Sequence, residues 1–303
     1  MVIPLRAAGY QGETSVHTRA LRHLAQSIHG KGFSPDITAD LTATGRPATD
    51  LLSMTEAGEL ELCYFASSYL ADRVPELGVL DLPFRGAGAG VLQPGVTRGA
   101  RLRATLEAAV ARHTGLSVIG FWDNGARHFT NSVRPLRHPD DCAGLVIRTM
   151  RSELHQASFA ALGFVPRYID VKDYPAAVRT GEVTAQENPV TNIVLFNVAE
   201  SHRFMTRTGH FKGVTLVLAN AAWRNGLPLP ARADLESAMV AASRHQAALA
   251  AAEEEAGLAT LRAAGMEILD DGGWDAQAFR AATAPVAEAA LARLDPGLIA
   301  CLP

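Results

Sequence analysis

Cysteine is scarce in this chain: there are three in 303 residues, Cys63, Cys142 and Cys301. They lie far apart without CxxC spacing, which excludes a disulfide framework or a cysteine zinc site and leaves one bridge at most. A positive surplus is also lacking, with 28 Lys plus Arg against 31 Asp plus Glu and a net charge of -3, so no nucleic-acid partner is expected. Charge, glycine or proline interrupts every apolar run well short of the roughly 18 residues that cross a bilayer, so the chain is not itself membrane-embedded. The N-terminus, Met-Val-Ile-Pro-Leu-Arg, has neither the charged start nor the apolar stretch of a secretory signal. The GxxxxGK phosphate loop, the HExxH zinc helix and the GxSxG elbow are all missing. Gly86-Ala-Gly88-Ala-Gly90 lacks the last spacing of the dinucleotide fingerprint and reads as a surface loop. Ten histidines are scattered, and most of them read as surface or capping residues; no metal and no cofactor is expected.

Apolar residues at 48% and charged residues at 19% are those of a globular chain. The length, at roughly 150 residues per domain, suggests two domains. Strand-like Val2 to Ala8 is followed by a capping Thr14 or Ser15 and then by Val16, Ala20, Leu21, Leu24 and Ile28 on one helical face. Strands at 37–42, 60–66 and 116–122, with helices at 50–57 and 98–114, continue the alternation, which predicts a parallel, doubly wound α/β sheet. A second alternation begins at Arg127: an extended segment to Asn131, strands at 145–148 and 165–171, and helices at 152–162 and 173–179. From Ala231 to Ala264 the chain is rich in Ala, Glu, Leu and Arg without proline. A helix there would run roughly 50 Å, long enough to brace both domains.

Arg148 ends the apolar strand Leu145-Val146-Ile147, and in an open α/β sheet ligands bind beyond the carboxyl ends of strands. Its planar fork suits a carboxylate; an ion pair with Asp140, Asp141 or Glu153 is the other reading of the same position. Arg127 follows a strand end that turns through Gly125, and is either a solvated side chain or one that emerges at the crossover between the halves. Asn188 before Pro189 fits a helix N-cap with proline at the first helical position. Tyr64 and Phe65 end a strand, as core or as an apolar wall of a cleft.

Together these segments resemble the DctP-type solute-binding proteins of tripartite ATP-independent periplasmic (TRAP) transporters. The resemblance is carried by Trp122-Asp-Asn-Gly-Ala-Arg127-His-Phe-Thr-Asn131, by Arg134-Pro135 with His138-Pro139-Asp140-Asp141-Cys-Ala-Gly144-Leu-Val-Ile-Arg148, and by Gln186-Glu187-Asn188-Pro189. Leu80-Asp81-Leu82-Pro83-Phe84 upstream, and Ala161-Leu162-Gly163 and Tyr174 to Val183 between, stand in the family's order. Thr184-Ala185, where Asp-Gly is usual, and the glycines of 86–90 depart from it.

The resemblance implies a two-domain clamp of the periplasmic-binding-protein kind, with 1–125 plus 212–250 as one domain and 126–211 plus 251–303 as the other. It implies closure on a small organic acid, delivery to TRAP permease membrane subunits, no catalysis, and a periplasmic location with the signal peptide removed. Arg148 would bind the ligand carboxylate, with Arg127 and Asn188 lining the site and Arg151 a further cation. Tyr10 and Glu13, on the loop after the first strand, would face the cleft from the other side, beside Tyr64 and Phe65. Two neighbouring arginines repel until an anion arrives, and three would favour a dicarboxylate or a hydroxy- or keto-acid over a neutral solute. Two other readings remain: presentation of the acid to a sensory receptor, and an enzyme with Glu13, Glu187 or a histidine as acid or base.

Overall fold

The computed structural model describes residues 2–302; Met1 and Pro303, the ends of the expected domain ranges, lie outside them. The first half contains β1 (Ile3–Ala8), α1 (Val16–Ile28), β2 (Phe33–Thr38), α2 (Asp50–Ala57), β3 (Leu62–Ala66), α3 (Thr97–His113) and β4 (Leu116–Asn131). It is followed by β5 (Val146–Thr149), α4 (Glu153–Ala161), β6 (Val165–Tyr168), α5 (Tyr174–Thr180), β7 (Ala185–Pro189), α6 (Val190–Leu195) and β8 (Phe204–Asn220). The chain closes with α7 (Ala221–Gly226), α8 (Leu229–Ala263), β9 (Glu267–Leu269), α9 (Ala276–Leu291) and α10 (Pro296–Ile299). Helix α1 starts where expected, with the Ser15 side chain accepting from the Thr18 amide.

The strands form one sheet in the order β2-β1-β3-β8-β4-β7-β5-β6, with β9 beside β8. Its flanks are parallel, as the alternation predicts. Its centre is not: β3, β8, β4 and β7 are antiparallel neighbours. The expected pair of parallel units is thus a mixed sheet, because two long strands pass through both halves. One is β8, which the alternation did not reveal. The other is β4, a single strand where two segments separated by a turn were expected.

Gly125 accounts for that second difference. It adopts φ +76°, where glycine is favoured, and a Cβ there would stand 2.7 Å from the Pro189 Cβ. The pairing of β4 with β8 breaks register between Asp123 and Ala126, so the chain makes a bulge rather than a turn. Helix α8 grips this point: Gln246 Nε2 donates to the Asp123 carbonyl at 2.6 Å, and the Asp123 amide donates back to Gln246 Oε1 at 2.9 Å.

Apolar burial falls into one large cluster on the β1–β3 side and two smaller ones on the β5–β7 side. Leu235, Met239 and Ala242 of α8 lie in the first and Leu261 in the third, so α8 does span the halves. Gly257 lies within this unbroken helix where α6 approaches it: a Cβ there would meet Val190 Cγ1 at 2.7 Å. The expected placement of 251–303 with the second half does not hold to its end. Ala287, Leu298 and Cys301 pack into the first cluster, since the tail returns across the molecule. All three cysteines are buried and unbridged. No helix among the described residues is long and apolar enough to cross a membrane.

Candidate functional site

The carboxyl ends of β1, β3 and β5 and the bulged middle of β4 converge between the halves. Arg148, near the end of β5, is 2% exposed. Its Nε donates to the Ile169 carbonyl at 3.0 Å, its Nη2 lies 3.5 Å from the Tyr69 hydroxyl, and its guanidinium sits 4.9 Å from the centre of the Tyr174 ring. No carboxylate pairs with it among the described residues. The ion pairs open to it in sequence do not form: Asp141 accepts from the Arg137 and His138 amides, Asp140 faces His138 in solvent, and Glu153 is exposed in the first turn of α4. A buried guanidinium without a counterion is costly, and its free donors suit an arriving anion.

Arg127 is equally buried but differently satisfied. It stands opposite Pro189 in the β4–β7 ladder, which makes Glu187 its diagonal neighbour. The fork closes on both Glu187 carboxylate oxygens, and Nη2 also reaches the Glu187 carbonyl at 2.8 Å and Asn188 Oδ1 at 3.1 Å. Burial alone would raise the Glu187 pKa, but the Arg127 guanidinium holds it well below the usual carboxylate range. The expected repulsion between Arg127 and Arg148 is therefore corrected, because Glu187 neutralises one of the two. A carboxylate so held is no proton donor, and its lowered pKa makes it a weak base, which argues against Glu187 in the acid-or-base roles of the enzyme reading.

Asn188 is also corrected. It lies within β7 rather than capping a helix; Pro189 takes the cap position of α6. Its amide joins a buried network: Asn188 Nδ2 donates to Gln186 Oε1 at 2.7 Å, Asn192 Nδ2 donates to Asn188 Oδ1 at 3.4 Å, and Gln11 Nε2 donates across the cleft to Asn192 Oδ1 at 3.3 Å. Tyr10 is buried with its ring 5.0 Å from Phe65 and 5.5 Å from Tyr64; Phe65 in turn lies 4.6 Å from Tyr69. Both guanidinium groups act electrostatically on the phenols of Tyr10, Tyr69 and Tyr174, and burial pushes all three phenols up, so they stay neutral donors. The Tyr174 hydroxyl is buried beside Asn188, the polar side chain placed to interact with it. Tyr64 is core, its hydroxyl 2.8 Å from Thr18 Oγ1.

Two expected members lie apart. Glu13 is exposed and ion-paired with Arg22, which holds its carboxylate on the surface of α1. Arg151 is exposed on the bend between β5 and α4, where its charge stays hydrated. Tyr69, Tyr174, Gln11 and Asn192 were not singled out; the signal for Tyr69 was its place just beyond a strand carboxyl end, the same signal that marked Arg148. Most histidines were expected at the surface or in caps, but half of the ten, His17, His128, His155, His202 and His210, are buried. His17 lies 2.9 Å from Gln11 Oε1 and 3.2 Å from the Asp123 carbonyl, joining the network to the bulge.

This arrangement belongs to a two-lobed binding protein. The model of the bacterial extracellular solute-binding protein family 7, DctP, matches residues 38–293. A solute-binding protein of Verminephrobacter eiseniae is 32% identical over 242 residues, 76% of this chain and 68% of the relative. The 2,3-diketo-L-gulonate-binding periplasmic protein of Escherichia coli is 29% identical over 227 residues, 74% of this chain and 67% of the relative. A TRAP periplasmic solute-binding protein from Bordetella, whose crystal density was assigned as pantoate, superposes with a TM-score of 0.88 at 25% identity, covering 99% of this chain and 98% of that one. The chain belongs to this family of solute-binding proteins.

Proposed function

We propose that this protein captures a small organic acid in the periplasm, holds its carboxylate on Arg148 between two closing lobes, and delivers it to the membrane subunits of a TRAP transporter. One observation carries the ligand's charge: Arg148 is buried at the meeting of the lobes without a counterion. The E. coli relative is named for 2,3-diketo-L-gulonate and the Bordetella structure for pantoate, each an organic acid with one carboxylate. Arg127 and Asn188 line the site beside Arg148, with Tyr10 and Phe65 on the opposite wall.

Residues 1–125 with 212–250 form one lobe, and 126–211 with most of the remaining chain form the other. The bulge at Asp123 to Ala126 is the hinge, and α8 is the brace against which it bends. Contacts that join the lobes across the cleft include Arg148 with Tyr69, Gln11 with Asn192, and Lys172 Nζ with the Gly45 carbonyl at 3.3 Å. They are the bonds expected of a closed form.

The test is a thermal-shift and small-angle-scattering screen of ligand-free protein against mono- and dicarboxylates, plain and hydroxylated. A binding acid should raise the melting temperature and reduce the radius of gyration together. A screen in which no carboxylate moves either quantity refutes the reading.

A further inference from the structure

A relay of hydrogen bonds crosses the cleft from Arg127 to the bulge of β4. Arg127 Nη2 reaches Asn188 Oδ1 at 3.1 Å, Asn188 meets Asn192 at 3.4 Å, and Asn192 meets Gln11 at 3.3 Å. Gln11 meets His17 Nδ1 at 2.9 Å, and His17 Nε2 meets the Asp123 carbonyl at 3.2 Å. Both ends are fixed in polarity, because a guanidinium only donates and a backbone carbonyl only accepts. Counted from Arg127, Asn188 must present its oxygen, Asn192 must turn its NH2 to Asn188 and its oxygen to Gln11, and Gln11 must turn its NH2 to Asn192 and its oxygen to His17. Nδ1 of His17 then needs a proton, and the Asp123 carbonyl requires one on Nε2 as well. Only a doubly protonated imidazole completes the relay; a neutral ring has one proton for two acceptors.

The link between Gln11 and Asn192 exists only where the lobes meet. Without it Gln11 is free to turn over and donate to Nδ1, and a neutral ring with its proton on the Asp123 carbonyl is fully satisfied. The surroundings of the ring are neutral or already paired. It stacks on Tyr64 at 5.4 Å and on Trp122 at 6.2 Å, and burial pushes the Tyr64 phenol up. The Asp123 carboxylate accepts from the Gly125 amide, Gln246 of α8 binds the Asp123 backbone, Glu253 of α8 pairs with Arg19, and Arg127 pairs with Glu187. No carboxylate bonds to the ring among the described residues, and burial depresses His17 to about 4 against the pull of the Asp123 carbonyl.

We infer that His17 is a positioning residue for closure: neutral, it holds the Gln11 amide in the sense that opposes Asn192, and a proton on Nδ1 aligns the whole relay, so that protonation favours the closed form. This rests on the closed-form reading above. A neutral, empty clamp carries one opposed contact when shut, which favours the open form until an acid is bound. Proton affinity at His17 then falls in the order unfolded chain, closed form, open form, so acid lowers stability while favouring closure.

Nitrogen-15 NMR of the histidine side chains reads tautomer and titration midpoint between pH 7 and 4. Pantoate, galactonate and succinate serve as probe acids, and small-angle scattering shows which of them closes the protein. Ligand-free His17 should be neutral at pH 7 with its proton on Nε2. In the closed protein its midpoint should rise by about one pH unit, about a tenfold gain in proton affinity, because a charged donor replaces an opposed contact. By linkage the acid should bind about tenfold more tightly once His17 is protonated. In Asn192→Leu, saturated with the same acid, the relay is cut at the cleft and the rise should vanish, whereas the charge of the bound anion would act equally in both proteins. If that variant does not fold or close, the wild-type midpoint decides.

A His17 midpoint unchanged or lowered in the compacted protein, or a rise that persists in closed Asn192→Leu, overturns the inference and leaves the closing clamp standing. If neither these probes nor any acid of the screen above compacts the protein, the closed-form reading falls and the inference with it.

Discussion

Arg148→Met separates a ligand-binding arginine from a structural one. Methionine keeps most of the side-chain volume and removes the charge with its desolvation cost, and even a buried ion pair replaced by apolar groups is often neutral or stabilising by about 1 to 4 kcal/mol. Three weak compensations are lost: the Ile169 carbonyl, the Tyr69 hydroxyl and the Tyr174 ring. The unliganded variant should therefore be as stable as wild type or up to about 2 kcal/mol more stable.

With ligand the order reverses. At 100 times its dissociation constant a ligand adds about 2.7 kcal/mol. Unfolding entropy of about 2.1 cal/mol/K per residue makes that a rise of about 4 °C for a chain of this length. The variant loses two charge-assisted hydrogen bonds of about 1.5 to 3 kcal/mol each, which weakens binding roughly 10²- to 10⁴-fold and abolishes the rise at that concentration. Differential scanning fluorimetry with and without the acid reads both effects. A melting temperature that falls by more than about 5 °C without ligand would make Arg148 a strut, and a retained ligand shift would place the carboxylate elsewhere.

Arg127→Met should behave oppositely, because it strands the Glu187 carboxylate in the interior. Urea unfolding should show a loss of about 3 to 5 kcal/mol, much of it recovered in Arg127→Met with Glu187→Met, and a single variant as stable as wild type would contradict the pairing. Stability should also fall in acid, since burial depresses His17, His202 and His210 to about 4 from an ordinary 6.5. The unfolded chain then binds more protons between those values, so the contribution is complete above pH 6.5 and is lost as the pH drops to about 4, up to about 3 kcal/mol per histidine. Urea midpoints at pH 7, 6, 5 and 4 check this, and an unchanged midpoint down to pH 4 refutes it. Arg151→Ala should leave the dissociation constant within about twofold, as for an exposed charge; a tenfold weakening would return Arg151 to the site.

Much of the candidate site's placement was legible wherever a residue's position follows from its own strand. Arg148 stands out because three apolar residues lead straight into a guanidinium, and Tyr10 and Phe65 lie at or just past strand ends. Glu187 as the partner of Arg127 was not legible: 60 positions separate them, and only the antiparallel ladder of β4 with β7 makes them neighbours. Asn188 was misplaced for a related reason, since Asn-Pro is a good local cap, but the ladder with His128 extends β7 through it. The buried histidines gave no local sign, because their burial depends on the aromatic rings they stack against, as His210 does on Phe129 at 4.0 Å and His155 on Phe211 at 4.1 Å.

By itself the sequence determined the class of architecture, the long helix, the strand that carries Arg148, and the family whose motifs run through its middle. Those features depend on periodicity, capping and short motifs, which act over a few residues. Only the tertiary structure decided that the sheet is mixed, that β4 and β8 run through both lobes, that the tail returns to the first core, and that one arginine near the site is cancelled while the other is free. Charge balance in a dry interior is a property of which distant groups meet, and long-range strand pairing settles that.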